Sequence, residues 1–204
     1  ATEQEEFWAG AFGDEYTGRN IGLDRIAANC ALFSKILART GPVTSVVALG
    51  ANVGLNIRAL RSLLPDAKLS AVEINDQAVA ELRRIADVEV IHGSLLDATP
   101  AQAEMALIKG VLIHIEPDSL SRAYERLYAA AGRWLVVAEY YNPTPVEVPY
   151  RGHSNRLFKR DFAGELLDRY ADLHLVDYGF AYHRGPFPQD DLTWFLLERR
   201  QLEI

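Results

Sequence analysis

The sequence is poor in several things, and each shortage excludes something. Cys30 is the single cysteine in 204 residues. No internal disulfide can form, and zinc ribbons, dithiol redox motifs and iron–sulfur clusters are excluded. One thiol also fits a reducing, cytoplasmic compartment. No apolar run reaches the length of a membrane span, and no charged-then-apolar leader is visible, so a soluble chain without a span or secretory signal is expected. Internal repeats and low-complexity tracts are missing. Cationic charge is scarce as well: 21 Lys and Arg stand against 28 Asp and Glu, a net charge of −7. Nucleic-acid binders need a cationic face to displace counterions, so no nucleic-acid partner is expected.

What is present is ordinary globular material, 49% hydrophobic and 24% charged, enough for one domain with a core of its own. Helical spacing marks Glu3 to Ala9 and Ile21 to Arg39, the second ended by Gly41-Pro42. An apolar, β-branched run from Thr44 to Leu49 predicts a buried parallel strand. Alternation then continues, with helices over 56–64, 76–86 and 118–131 and strands over 68–74, 88–91, 105–108 and 133–138. After a polar, proline-bearing stretch, a helix is predicted over 162–170. Two strands over 173–182 and 192–198 would form an antiparallel hairpin around Gly185-Pro186-Phe187-Pro188. The fold class is therefore α/β, an open and mostly parallel sheet with helices on both faces. Ligands bind such sheets beyond the carboxyl ends of the strands, which gathers 50–56, Glu73, 93–95, 109–114 and 139–142 on one rim.

The most informative stretch on that rim is Gly50-Ala51-Asn52-Val53-Gly54, followed by Glu73 at the end of the second strand. A dinucleotide loop would want glycine at 50, 52 and 55, and a phosphate loop needs Gly-Lys-Ser/Thr; neither pattern is met. Gly-x-Asn-x-Gly resembles instead the loop around the amino-acid part of S-adenosylmethionine in class I methyltransferases. Small residues permit its tight turn, and asparagine tolerates the left-handed conformation. A carboxylate at Glu73 could accept both hydroxyls of a ribose. Ala48 departs from the class, which usually carries an acid there.

The resemblance extends along nearly the whole chain. Phe7-Trp8-Ala9-Gly10, 12–16, Arg19-Asn20, 50–56, 72–75 and 109–115 all match. So do the long block from Ala138 through Tyr140-Tyr141-Asn142-Pro143 and Tyr150-Arg151-Gly152-His153, Lys159-Arg160-Asp161-Phe162, and 187–194. On these stretches the chain resembles the methylases associated with pseudaminic acid biosynthesis. The resemblance implies a Rossmann-like class I methyltransferase fold with a seven-stranded sheet, N-terminal helices (1–40) capping a single domain, and an acceptor-side loop (141–160). It also implies S-adenosylmethionine as cofactor and a small sugar or sugar-nucleotide acceptor.

Candidate roles follow. Gly50, Asn52, Gly54 and Glu73 would hold the cofactor, Gly93, Ser94 and Leu95 would frame its adenine, and Ile74, Lys109 and Gly110 would complete the wall. Trp8, Tyr16, Arg19 and Asn20 would close over it, with Arg19 pairing its carboxylate. His114 is the first choice of base, because its neutral pKa suits proton abstraction; the alternative is a histidine capping the turn beside Glu116. Glu139 would orient His114 or take the proton itself, or else simply end a strand. Tyr140 and Tyr141 would form an aromatic wall, with Asn142 and Tyr150 nearby. Arg151, His153, Arg156, Lys159 and Arg160 would bind an anionic acceptor, or else pair with Asp161 and Glu165. Asp190-Asp191 lacks a histidine partner, so no metal is expected, and Cys30 reads as core. Two further readings stand beside the carbohydrate one: a methyltransferase of a nonsugar metabolite, and an inactive module that binds the cofactor.

Overall fold

Ser45–Leu49 (β1) has four of its five side chains buried, as a strand covered on both faces must. The computed structural model describes residues 2–19 (backbone alone at 16–19), 22–150, 154 and 156–200. Around β1 lie Lys68–Glu73 (β2), Val88–His92 (β3), Ala103–Lys109 (β4), Ala131–Glu139 (β5), Leu173–Ala181 (β8) and Leu192–Arg199 (β9). They form one sheet in the order β3-β2-β1-β4-β5-β9-β8. The first five strands run parallel. β9 is antiparallel to both β5 and β8, so the expected hairpin is present and closes the sheet.

Helices cover both faces. Leu23–Thr40 (α3) and Leu55–Leu63 (α4) lie on one, with Leu32, Ile36, Ile57 and Leu60 packed on Val46, Ala48 and Trp134. Leu120–Ala130 (α6) and Phe162–Arg169 (α7) lie on the other, with Leu127, Phe162 and Leu166 on Val47, Leu49 and Leu135. Adjacent strand residues thus serve opposite layers, as the two-residue period of a strand requires. Cys30 is half-buried against the first of these layers. No described helix is long and apolar enough to cross a membrane.

Some boundaries differ from expectation. Asp76–Leu82 (α5) ends four residues early, because Asp87 adopts a left-handed conformation (φ 56°) that turns the chain into β3. α6 starts at Leu120 after a short 3-10 turn at Pro117–Ser119. The N-terminal segment forms two helices, Glu3–Ala9 (α1) and Ala11–Arg19 (α2). The polar stretch after β5 holds a two-stranded ribbon, Val146–Glu147 (β6) with Phe158–Lys159 (β7).

Candidate active site

Past β1 the chain turns through left-handed conformations at Gly50 (φ 72°), Asn52 (φ 49°) and Gly54 (φ 82°). The Gly50 and Ala51 amides both donate to the Val72 carbonyl, at 2.9 and 3.1 Å. A Cβ on Gly50 would lie 2.6 Å from Val111 Cγ2, and one on Gly54 2.6 Å from Ile85 Cδ1. Glycine is needed at both places for conformation and for space. Asn52 fills the middle position in the left-handed geometry expected of it, its Oδ1 accepting the Val53 amide at 2.8 Å.

Glu73 ends β2 beside this turn. Its Oε2 accepts the Asn52 amide at 2.7 Å, and its Oε1 accepts the Ile74 and Asn75 amides at 2.9 Å each. Burial raises its pKa and the three amides oppose the shift. Each carboxylate oxygen can accept two hydrogen bonds, so Oε2 retains an accepting site on a side chain that lines the main cavity.

The N-terminal helices are fastened here by Asn75. Its Oδ1 caps α5 by accepting the Ala78 amide at 3.0 Å, while its Nδ2 donates to Asp14 Oδ1 at 2.9 Å and to the Trp8 carbonyl at 3.3 Å. Gly13 permits the approach: a Cβ there would sit 1.9 Å from the Trp8 oxygen. Trp8 consequently lines the cavity, with its ring 4.5 Å from that of His114. The Tyr16 and Arg19 side chains and Asn20 lie outside the described residues.

The cavity, about 240 Å³, opens at the carboxyl ends of the parallel strands. Gly50, Asn52, Glu73, Ile74, Gly93, Ser94, Leu95, Lys109 and Gly110, all expected at the cofactor, line it. Lys109 is pushed down to about 8 by burial, against the opposing charges of Asp190 and Glu139.

His114 also lines the cavity and is buried. Its Nδ1 lies 2.8 Å from the Arg156 carbonyl oxygen. A carbonyl only accepts, so Nδ1 carries the hydrogen and Nε2 keeps the lone pair. Burial lowers its pKa to about 4, opposed by that hydrogen bond, and the ring is neutral.

Glu139 goes elsewhere. It is 2% exposed and does not line the main cavity. Its oxygens accept the Val111 amide at 3.0 and 3.1 Å and the Leu112 amide at 3.0 Å. The expectation that it orients His114 is corrected: the Arg156 carbonyl does so, and Glu139 secures the turn that carries His114. Complete burial pushes Glu139 up to about 7 against these amides and Lys109.

The acceptor side divides. Tyr140 and Tyr150 line the cavity, Tyr150 with its ring 5.2 Å from His114. Lys159 does not line it; its Nζ sits 5.3 Å over the Tyr140 ring. Tyr141 (43% exposed) leans on Phe195, and Asn142 donates to the Thr144 carbonyl at 2.6 Å; both lie outside the cavity. Arg160 pairs with Glu165 at 2.6 Å, the alternative foreseen for the basic run. Arg156 meets Glu3 at 2.5 Å and covers the Phe7 ring. Arg151 and His153 lie outside the described residues.

Several cavity residues had been given no cofactor or acceptor role: Arg25, Asn29, Asn56, Asn75, Gln189 and Asp190. Asn29 was findable, because a polar residue on the apolar stripe of α3 needs a partner; Gln189 Nε2 donates to its Oδ1 at 3.0 Å. Asp190 and Asp191 part company. Asp191 accepts from His183 at 2.8 Å, and Asp190 stands 3.6 Å from Arg25.

No protein-family model matches the chain, and no curated protein matches it either. Solved structures do. Burkholderia thailandensis 1,6-didemethyltoxoflavin-N1-methyltransferase, with its substrate and S-adenosylhomocysteine bound, superposes with a TM-score of 0.71 at 16% identity, over 97% of this chain and 87% of that one. Magnesium protoporphyrin IX methyltransferase from Synechocystis PCC 6803, with S-adenosylmethionine bound, gives 0.69 at 12% identity over 98% of both chains. Mitomycin 7-O-methyltransferase gives 0.68 at 16% identity over 97% of this chain and 61% of its own. Together with the strand order, these likenesses give the chain the Rossmann-like fold of class I methyltransferases.

Proposed function

We propose that this chain is an S-adenosylmethionine-dependent methyltransferase, a single domain acting on a hydroxyl or amino group of a small, polar, anionic sugar or sugar nucleotide. We place it with the pseudaminic acid-associated methylases and in the cytoplasm. The observation that carries the reading is the left-handed Gly50–Gly54 turn with the Glu73 carboxylate across it, at the strand ends of this fold. That solved structures with the fold hold S-adenosylmethionine or S-adenosylhomocysteine supports the cofactor.

The residues present fit that group. At Gly93 and Gly110, both on the cavity wall, an added Cβ would meet no atom within 4 Å, so a ligand can approach the backbone closely. The buried Asn56 Oδ1 faces no hydrogen-bond partner among the described residues, which a ligand donor would supply. Glu73 would take a ribose hydroxyl on the remaining accepting site of its Oε2, and Gly93–Leu95 would border the base. When bound, S-adenosylmethionine supplies an electrophilic methyl group on a sulfonium.

The chain's own part is positioning and proton handling. Most of the acceleration comes from holding the nucleophile in line with that methyl group. A hydroxyl acceptor must lose its proton, and His114 Nε2 is the lone-pair nitrogen that takes it. Trp8 and Tyr150 flank the imidazole and exclude water from it. The Tyr140 ring on the cavity wall offers a face for a sugar ring.

Calorimetric titration with S-adenosylhomocysteine tests the cofactor; one-to-one micromolar binding is expected, and no binding would end the reading. Turnover with a panel of sugar nucleotides and simple amines tests the acceptor. Methylation of amines alone would replace the carbohydrate with a nonsugar metabolite.

A further inference from the structure

β8 is the outermost strand of the sheet, paired with β9 on one side and with no strand on the other among the described residues. Its open face is aromatic. Tyr178, Phe180 and Tyr182 are 63, 58 and 47% exposed, and Phe187 in the loop that follows is 55% exposed. Tyr141 joins them through Phe195, whose ring lies 6.1 Å from that of Tyr178 and 6.2 Å from that of Tyr141. With Leu175 these make six of the eight large hydrophobic side chains exposed among the described residues, and none of the six lines the cavity. A buried aromatic removes about 150–250 Å² from water, so five that are about half exposed leave an apolar patch on the order of 500 Å². Such a patch stands at the upper end for a soluble monomer. It is more than half of the roughly 800 Å² that each partner gives to a standard interface.

We infer that a second copy of this chain covers this corner, β8 pairing edge to edge and antiparallel with β8 about a two-fold axis at Phe180. The inference does not depend on the cofactor reading. What selects a second copy over another partner is the order of residues along the strand. Tyr178-Gly179-Phe180-Ala181-Tyr182 alternates large and small identically in both directions. Antiparallel pairing centred on Phe180 sets Tyr178 opposite Tyr182 of the partner subunit and Phe180 opposite Phe180 of the partner subunit, all on one face. Aromatic cross-strand pairs of this kind stabilise a sheet. The small residues take the other face, where a Cβ on Gly179 would lie 2.8 Å from Trp194 Nε1.

Charge follows the same pattern. A two-fold axis brings the residues on it against themselves, so a charge there would meet its like; the five residues carry none. At the ends, Asp177 falls opposite His183 of the partner subunit, and Val176 opposite Arg184 of the partner subunit. Asp177 and His183 are balanced within the chain as well, by Arg39 at 3.3 Å and Asp191 at 2.8 Å. The regular edge has the same limits. A bulge between Leu175 and Asp177 interrupts it on one side. On the other, the Gly185 amide closes a turn on the Tyr182 carbonyl at 3.3 Å. Left bare, an apolar edge of this kind is a template for aggregation; paired with its own copy, it is covered.

Sedimentation equilibrium of the full chain from about 1 to about 50 µM should give twice the mass of one chain at the upper end, with a dissociation constant of micromolar order or tighter. Phe180→Lys sets two like charges at the axis and should raise that constant at least about tenfold, as should Phe180→Asp. An equimolar mixture of the two variants should dimerise again, because lysine then meets aspartate across the axis. Phe180 is exposed and outside the cavity, and unchanged thermal unfolding will establish that both variants fold. A dimer that Phe180→Lys leaves intact, or a mixture that stays monomeric, would overturn the pairing. So would a parent chain that is monomeric throughout; its sedimentation with phosphatidylcholine vesicles would then assign the patch to a membrane surface.

Discussion

The imidazole of His114 and the main chain of Arg156 meet through one hydrogen bond, Nδ1 to carbonyl oxygen at 2.8 Å. Arg156 in turn reaches Glu3 of α1 through its guanidinium. The acceptor-side segment, the N-terminal cap and the candidate base are thus linked in series, and the tautomer of the base depends on where the main chain of the segment lies.

His114→Ala should lower kcat by about 10²–10⁴-fold, the range for a positioned general base, while S-adenosylhomocysteine affinity stays close to that of the parent. Burial holds the imidazole at about 4, below its ordinary value, so kcat should show no inflection near neutrality from this group. A variant as active as its parent would remove His114 from the chemistry.

Glu139 makes the pH dependence of stability testable. Its pKa in the fold is raised to about 7 from 4.5, so the folded chain binds more protons than the unfolded one between those values. The contribution is complete below the lower value and lost as pH rises through the upper one. Glu139→Gln cannot titrate. In denaturant titrations at about pH 5 and about pH 8, the parent should therefore lose stability relative to the variant at the higher pH. A difference that does not change with pH would place the Glu139 pKa at its ordinary value.

Glu73→Ala should weaken S-adenosylhomocysteine and methylthioadenosine together, by about tenfold or more. The same substitution strands the Asn52, Ile74 and Asn75 amides, which should cost about 1–3 kcal/mol of stability in chemical denaturation. Affinity unchanged for both ligands would show that the carboxylate serves the turn alone.

Asn75→Ala removes the α5 cap, worth about 1 kcal/mol, together with the two bonds that fasten α1 and α2. Gly13→Ala forces a Cβ against the Trp8 carbonyl and to 2.9 Å from Asn75 Nδ2, while the capping Oδ1 remains. Both should speed amide exchange across α1, and the first should destabilise α5 more. Protection of α1 that survives both substitutions would mean that its attachment lies elsewhere.

Much of the core was legible because its strands are short apolar runs that end where the chain must turn, as at Leu49-Gly50 and Glu73. The glycine turn and Glu73 were readable for the same reason: conformation and charge leave marks at fixed spacing. Glu139 was misread although its parity was available. It shares a face with Leu135 and Val137, which pack in the layer beneath α6 and α7, so its side chain points under the 111–113 turn. The ribbon of β6 and β7 was not legible, since two-residue strands have no period. Nor was the Arg25–Asp190 approach, because the two residues lie near opposite ends of the sequence and only the sheet order brings them together.

β9 is the last described strand in chain order, yet it lies inside the sheet, paired from Trp134↔Glu198 to Glu139↔Thr193 on one side and with β8 on the other. Until it arrives, β5 presents a bare apolar edge, the kind of template on which other chains add. The turn that leads into β9 also carries Gln189 and Asp190. The strand that covers the β5 edge is therefore preceded by the turn that brings Gln189 and Asp190 to the cavity wall.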